Sequence, residues 1–576
     1  MYNSRQYHCL LILLSTALVI QGCSPTKQTT DEANISKKEA LQEGVKNTRG
    51  VSPKPHQPHS IPATTLDSIS KPHPQLRTRT HLAEKAQHFN GITVSPVQEA
   101  YYPQQTQFSQ DSYSFPAENS FISTGNDSLS TFSIDVDTGS YANIRRMLIA
   151  GQTVPVGAVR IEEMLNYFSY DYPEPKETPV GITTEVGPCP WNSEHKIARI
   201  GIKAKELGNK VLPPSNLVFL IDVSGSMNQP NKLPLVKKSL TLLSKELTSQ
   251  DRISIVVYAG SNRVVLPPTA GNEKKIINQA IRQLNSGGAT HGSAGITRAY
   301  HLAHQSFMPG GNNRIILASD GDFNVGVTSQ GELTKLIETE REKGIFLTVL
   351  GFGNGNYKDD TMEMLADRGN GNYSYIDSLL EAKKVLIKQR ASTLFTLAKD
   401  VKLQVEFNPA KVGAYLLLGY ENRVLTDEDF KNDKKDAGEI GLGHTVTALY
   451  ELIPPGVPSL PAVADLKYSK TLPVYNQSDE LLTVKLRYKE PQGSDSKVIS
   501  QTLIDSHRTW TETSDDFRFA TAVAWFGMHL RKSEYVTIPS YAKIIDITRN
   551  SRGRDYDGLR AEFIRLVETK ELLMNE

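Results

Sequence analysis

Residues 216–226, NLVFLIDVSGS, decide how this chain is read. Five apolar residues, Leu217–Ile221, run without alternation and stop at an acid, Asp222, beyond which lies a Ser-Gly-Ser turn. An uninterrupted apolar run of this length is the pattern of a strand buried on both faces. The pattern repeats downstream. Arg252–Tyr258 (RISIVVY), Arg314–Ser319 (RIILAS) and Ile345–Gly351 (IFLTVLG) are further buried strands, and Arg314–Ser319 again stops at an acid, Asp320. Between them, apolar residues recur at helical spacing, as Leu233, Val236, Leu240, Leu243 and Leu247 do within 231–249. Helical patterns also fall at 272–284, 293–307 and 330–343. Strands alternating with helices predict an α/β unit, a parallel sheet wound on both faces, whose ligands sit beyond the carboxyl ends of the strands.

Three loops at that end carry oxygen ligands: Asp222-Val223-Ser224-Gly225-Ser226, Gly287-Gly288-Ala289-Thr290 and Ser319-Asp320-Gly321-Asp322. Asp222, Ser224 and Ser226 alternate along a turn, so their side chains converge on one point. Two carboxylates and three hydroxyls are hard donors. They suit Mg²⁺, with Mn²⁺ or Ca²⁺ as alternatives, and do not suit zinc. IDVSGS, GGAT and SDGD, in this order and on these elements, resemble the metal-ion-dependent adhesion site of von Willebrand factor type A domains over about residues 212–395. The resemblance implies that Asp222, Ser224, Ser226, Thr290 and Asp320 contact the metal, and that Ser319 stands where the family often has Thr. It further implies that a partner protein's Asp or Glu completes the metal shell, a charge-assisted contact. The expected function is therefore metal-dependent protein binding, not catalysis. An envelope assembly scaffold with a structural metal is the alternative, and a metal-dependent hydrolase a more distant one, because no nucleophile or general base sits beside these loops.

The flanks suggest sandwich strands. Segments 181–187 and 196–204 precede the central unit; 401–407, 415–420, 445–452 and 481–488 follow it, alternating with period two. An antiparallel β-sandwich interrupted or flanked by the central unit is predicted, with helices at 515–531 and 555–574. Asp135-Val136-Asp137-Thr138 lacks the serines of a second adhesion-type site, and Gly139 fails a phosphotransferase loop. It reads as a strand-end turn with Asp capping a helix from Tyr141.

The N-terminus reads as an address. Arg5 precedes a twelve-residue apolar run, 9–20, too short to span a bilayer. Ile20-Gln21-Gly22-Cys23 then resembles the bacterial lipobox, which implies removal of 1–22 and acylation of Cys23. Ser24 implies sorting to the outer membrane. Residues 23–125 are rich in Ser, Thr, Gln and Pro, with ten of the chain's 31 prolines, and read as a disordered tether. Its root-mean-square span would be about 55 Å. The expected organisation is thus leader 1–22, tether 23–125, N-terminal segment 126–211, von Willebrand A domain 212–395 and C-terminal domain 396–576. With NKLPLVK (231–237) and GYENR (419–423), the whole is similar to bacterial lipoproteins carrying such a domain before a C-terminal domain of unknown function. That group is often labelled as calcium-activated chloride channel homologues, but no spanning segment after Cys23 supports a channel.

Composition sets the outer bounds. The chain has 576 residues, a formal charge of +1 and three cysteines, with mean hydropathy −0.37. Near-zero charge argues against a nucleic-acid partner. Three cysteines cannot build a disulfide framework. With Cys9 removed and Cys23 acylated, Cys189 is left as a buried, inert thiol. A lipid anchor would be the protein's one contact with membrane.

Overall fold

The computed structural model describes residues 111–113, 117–206, 212–288, 293–321, 323, 330–355, 357–458, 478–491, 493–536 and 540–574. The expected leader, Cys23, most of the tether, Thr290 and Asp322 lie outside the described residues.

The central unit is a six-stranded sheet. In spatial order its strands are Tyr373–Ile376, Phe346–Phe352, Asn312–Ser319, Ser215–Asp222, Arg252–Tyr258 and Asn262–Ala270. The first five are parallel and the last runs antiparallel. Strand Ser215–Asp222 is buried throughout because helices cover both faces. Leu217, Phe219 and Ile221 point to one core, with Leu233, Val236, Leu240 and Leu243 of helix Leu233–Glu246. Val218 and Leu220 point to the other, with Ile296, Ala299 and Ala303 of helix Ser293–Gln305. Period-two alternation with both faces apolar is what turns a doubly wound sheet into a continuous apolar run in sequence. Strand Asn262–Ala270 escaped the sequence reading. It carries Pro267 and Pro268, which a ladder tolerates only at an edge, and it occupies the edge.

Two antiparallel sheets flank this unit. One has five strands, ordered Ile122–Ser123, Ala414–Leu418, Thr445–Ile453, Lys196–Ala204 and Val180–Pro188. The other runs Val424–Leu425, Leu129–Ser133, Thr396–Phe407, Glu480–Lys489 and Ser496–Ile504, with Gly438–Gly441 paired to Thr396–Phe407 off this path. Their inner faces share one core: Ile200, Ile202, Ala448 and Tyr450 from the first sheet meet Phe132, Leu403, Val405 and Val484 from the second. Each sheet draws strands from before and after the central unit. The von Willebrand-like unit is therefore inserted in a sandwich, as one of the two sequence readings had it. A third core joins helices Gly139–Ile149 and Ile161–Asn166 to the C-terminal helices Asp515–Arg531, Tyr541–Asn550 and Leu559–Met574. Ser514 Oγ caps Asp515–Arg531 by accepting from Phe517 N at 3.1 Å. That helix is buried on nearly every side. Among the described residues no helix is long and apolar enough to cross a membrane.

Two expectations change. Packing begins before residue 126: Ile122–Ser123 pairs with Ala414–Leu418, and Asn119 Nδ2 donates to the carbonyls of Leu417 and Gly419. Composition conceals this, because a two-residue strand on a sheet edge needs little apolar surface. Asp137 does not cap a helix from Tyr141. The helix starts at Gly139, and its first-turn N–H at Ser140 donates to Glu163 Oε2 at 2.7 Å, a carboxylate from another helix. Asp137 instead accepts from Tyr373 N at 2.7 Å, pinning the N-terminal segment to the edge of the central sheet. Cys189 is buried, and burial pushes its thiol far above the ordinary range.

Candidate functional site

Strands Ser215–Asp222 and Asn312–Ser319 are parallel neighbours in register Ile221↔Ala318, so Asp222 and Asp320 emerge side by side at their carboxyl ends. Both side chains are buried. Asp222 Oδ1 accepts from Ser224 N at 2.8 Å, which folds the Asp-x-Ser turn back on its own carboxylate. Ser224 Oγ and Ser226 Oγ lie 3.0 Å apart, with Ser224 buried and Ser226 exposed. The three hydroxyl and carboxylate groups of the first loop thus converge as its alternation predicts. The second loop is tied to the first by two backbone bonds: Gly225 N donates to Gly288 O at 3.1 Å, and Gly287 N to Val223 O at 2.7 Å. Gly288 has φ +91°, and a Cβ there would lie 3.3 Å from Gly260 N, so the turn of the second loop beside Ala259 and Gly260 favours glycine. Thr290, two residues on, lies outside the described residues. In the third loop Ser319 Oγ accepts from Gly321 N at 3.2 Å, which orients the turn.

Two oxygens in this group have no hydrogen-bond partner among the described residues: Asp222 Oδ2 and Asp320 Oδ1, both fully shielded from solvent. An ionised carboxylate oxygen that is buried and unpaired is costly. Burial is the main reason the Asp222 carboxyl is pushed up to about 6, opposed by its bonds from Ser224, reinforced by Asp320 and opposed again by the neighbouring Tyr258 hydroxyl, which falls short of hydrogen-bond geometry with Asp222 Oδ2. Tyr258, at the end of the adjoining strand, is fully buried and held far above its ordinary range by burial and then by the Asp222 charge. Orphaned hard oxygens flanked by two hydroxyls fit a hard divalent cation in donor type and in charge.

The sequence reading missed one charged participant. Lys232 Nζ donates to Asp320 Oδ2 at 2.9 Å, and both side chains are buried. The signal was visible as the NKLPLVK stretch, but nothing in the linear sequence places residue 232 against residue 320.

A second group of carboxylates is buried elsewhere. Ligand-type oxygens of Asp135, Glu163 and Glu363 all lie within 4.8 Å of one another. Here both oxygens of every carboxylate are engaged. Asp135 accepts from Asp137 N and faces Arg423; Glu163 accepts from Ser140 N and Arg160; Glu363 accepts from Asn422 Nδ2 and faces Arg160 at 3.4 Å. Arg160 also pairs with Asp359, and Arg423 with Asp367 at 2.7 Å. These residues come from the N-terminal segment, helix Asp359–Arg368 and the GYENR turn, so the group clasps three parts of the chain together.

Comparison with known proteins gives three family matches. Residues 107–199 match a family model described as von Willebrand factor, 216–388 the von Willebrand factor type A domain, and 392–573 the C-terminal region of uncharacterized protein YfbK. The chain is 46% identical over 452 residues to the uncharacterized protein YfbK of Escherichia coli K12, covering 76% of this chain and 77% of that one. It is 28% identical over 148 residues to inter-alpha-trypsin inhibitor heavy chain H2 of Mesocricetus auratus, over 24% of this chain and 16% of that one. Among solved structures, a von Willebrand factor type A protein from Catenulispora acidiphila matches 64% of this chain and 87% of its own at 15% identity, with a TM-score of 0.37.

Proposed function

The chain belongs to the family of YfbK, built around a von Willebrand factor type A domain, and from that premise we propose that it is an envelope binding protein that captures acidic partners through a cation. Domains of this class commonly mediate protein–protein contact, often through a metal site. In this reading Asp222, Ser224, Ser226, Thr290 and Asp320 hold the cation, Mg²⁺ by preference with Mn²⁺ or Ca²⁺ as alternatives. The cation supplies a positive centre for an Asp or Glu of the partner. The observation that carries the proposal is the pair of orphaned oxygens, Asp222 Oδ2 and Asp320 Oδ1, in loops that already bring Ser224 and Ser226 together.

Cys23 is proposed to be acylated and to anchor the folded part to the membrane, the outer membrane by the Ser24 rule. The segment after it then acts as a tether. Cross-linked pull-down from intact cells tests the binding proposal. Partner recovery with wild type and Mg²⁺ is expected to vanish in Asp222→Ala and with a chelator; recovery that survives both changes overturns it. Cys23→Ala is expected to move the protein from the membrane fraction to the soluble one, and unchanged fractionation overturns the anchor.

A further inference from the structure

We propose that Lys232 adds a positive charge to this site, so that the cation-loaded loops favour an anionic ligand. The proposal rests on the cation-binding reading above and specifies which ligand chemistry the loaded site selects.

Lys232 has a built seat. It stands at the N-cap of helix Leu233–Glu246, and its carbonyl accepts from Val236 N at 3.0 Å, so its backbone is fixed by the helix start. Its side chain runs across the end of strand Phe346–Phe352, over Gly353. A Cβ at Gly353 would come within 2.3–2.8 Å of the lysine's Cγ, Cδ and Cε, and Gly353 has φ +76°. The glycine leaves both the space and the backbone conformation that the lysine chain requires. Gly353 thus has a defined task. Four per cent of the Lys232 side chain is exposed, and its ammonium ends on Asp320 Oδ2.

The charges follow. Among the described residues, Asp222 and Asp320 bring two negative charges to the loop ends and Lys232 returns one positive charge. A divalent cation added to these three side chains leaves their sum at +1, and one carboxylate of a ligand offsets it. Without Lys232 the same sum falls by one positive charge and the attraction for an anion weakens. The lysine also commits Asp320 Oδ2, leaving Oδ1 as the one oxygen of that residue free for a cation. Removing the lysine should therefore move two affinities in opposite directions. Cation affinity should hold or rise, because a neighbouring positive charge is gone. Affinity for an acidic ligand should fall.

The test uses the full chain, Mn²⁺ as the cation and the capped tripeptide acetyl-Gly-Glu-Gly-amide as the acidic probe. Broadening of the glutamate γ-CH₂ protons by the Mn²⁺-loaded protein reports proximity even for weak binding. Lys232→Met is expected to bind Mn²⁺ at least as tightly as wild type while broadening the peptide at least tenfold less, and Lys232→Arg to restore broadening. Lys232→Gln keeps a hydrogen-bond donor for Asp320 without the charge, so it should behave as Lys232→Met; it also serves if that variant does not fold. Broadening unchanged in either neutral variant overturns the charge assignment alone. Loss of Mn²⁺ binding in folded Lys232→Gln overturns it as well, by making the lysine a prop for the ligand loops. Absence of Mn²⁺ binding in wild type overturns the cation site itself.

Discussion

Two buried groups of carboxylates lie in this molecule, and they differ in what their oxygens touch. In the clasp of Asp135, Glu163 and Glu363, both oxygens of each residue meet an arginine, an asparagine or a backbone N–H. At the loop ends, Asp222 and Asp320 each keep one shielded oxygen with no described partner. The clasp gathers three carboxylates within 4.8 Å, and every one of their oxygens already has a partner. The loop-end pair has the unmet demand. Density of acidic groups therefore marks a structural joint as readily as a metal site. What separates the two is whether the lone pairs are already used.

The largest effect should come from breaking the clasp. Arg160 is buried and faces Glu163, Asp359 and Glu363. Arg160→Met leaves buried carboxylates unpaired and should cost about 3–5 kcal/mol in denaturant unfolding. The same treatment of the loop ends, Asp222→Asn, should cost far less in metal-free protein, because the amide keeps an oxygen to accept from Ser224 N and removes a buried charge. Comparable losses for the two variants would erase the distinction.

pH sharpens the same contrast. Burial holds the Glu363 carboxyl up at about 7 against the opposing charges of Arg160 and Arg423. Burial, then the charges of Glu421 and Asp135, raises Glu162 beside it to about 7 as well. Both lie above their ordinary 4.5, so the folded state binds these protons more tightly than the unfolded chain does. Their contribution to stability is full below about pH 4.5 and is lost as pH rises through about 7. Stability, and the melting temperature with it, should fall as pH rises from about 4.5 through about 7, by an amount on the order of 3 kcal/mol for each carboxyl. Glu363→Gln should flatten that slope; a slope left intact would detach these carboxyls from it. The smallest expected effect is at Ser226, an exposed hydroxyl bonded to Ser224. Ser226→Ala should change stability by less than about 0.5 kcal/mol, while weakening Mg²⁺ affinity severalfold in a calorimetric titration. Full-strength Mg²⁺ binding would remove Ser226 from the ligand set.

The central sheet and the Asp222 and Asp320 loops were legible because each is local: an apolar run ends at an acid, and a turn follows at once. Lys232 was not, because its meaning lies in a contact across 88 positions and in the space over Gly353. The clasp was less legible still. Asp135, Glu163 and Glu363 come from three separated segments, and only the packed chain brings them together. Asp137 shows the same limit: an acid before a helix reads as a cap, yet a strand edge at Tyr373 claims it. GYENR carried a family likeness without a reason. The structure supplies one, since Tyr420 N donates to Glu162 at 3.0 Å and Arg423 closes the clasp.

The most direct measurement is a calorimetric titration of Mg²⁺ into the metal-stripped full chain, comparing wild type, Asp222→Asn and Glu363→Gln. The account predicts one site in wild type and in Glu363→Gln, and none in Asp222→Asn. Binding that persists in Asp222→Asn but is lost in Glu363→Gln would place the cation in the clasp and contradict it.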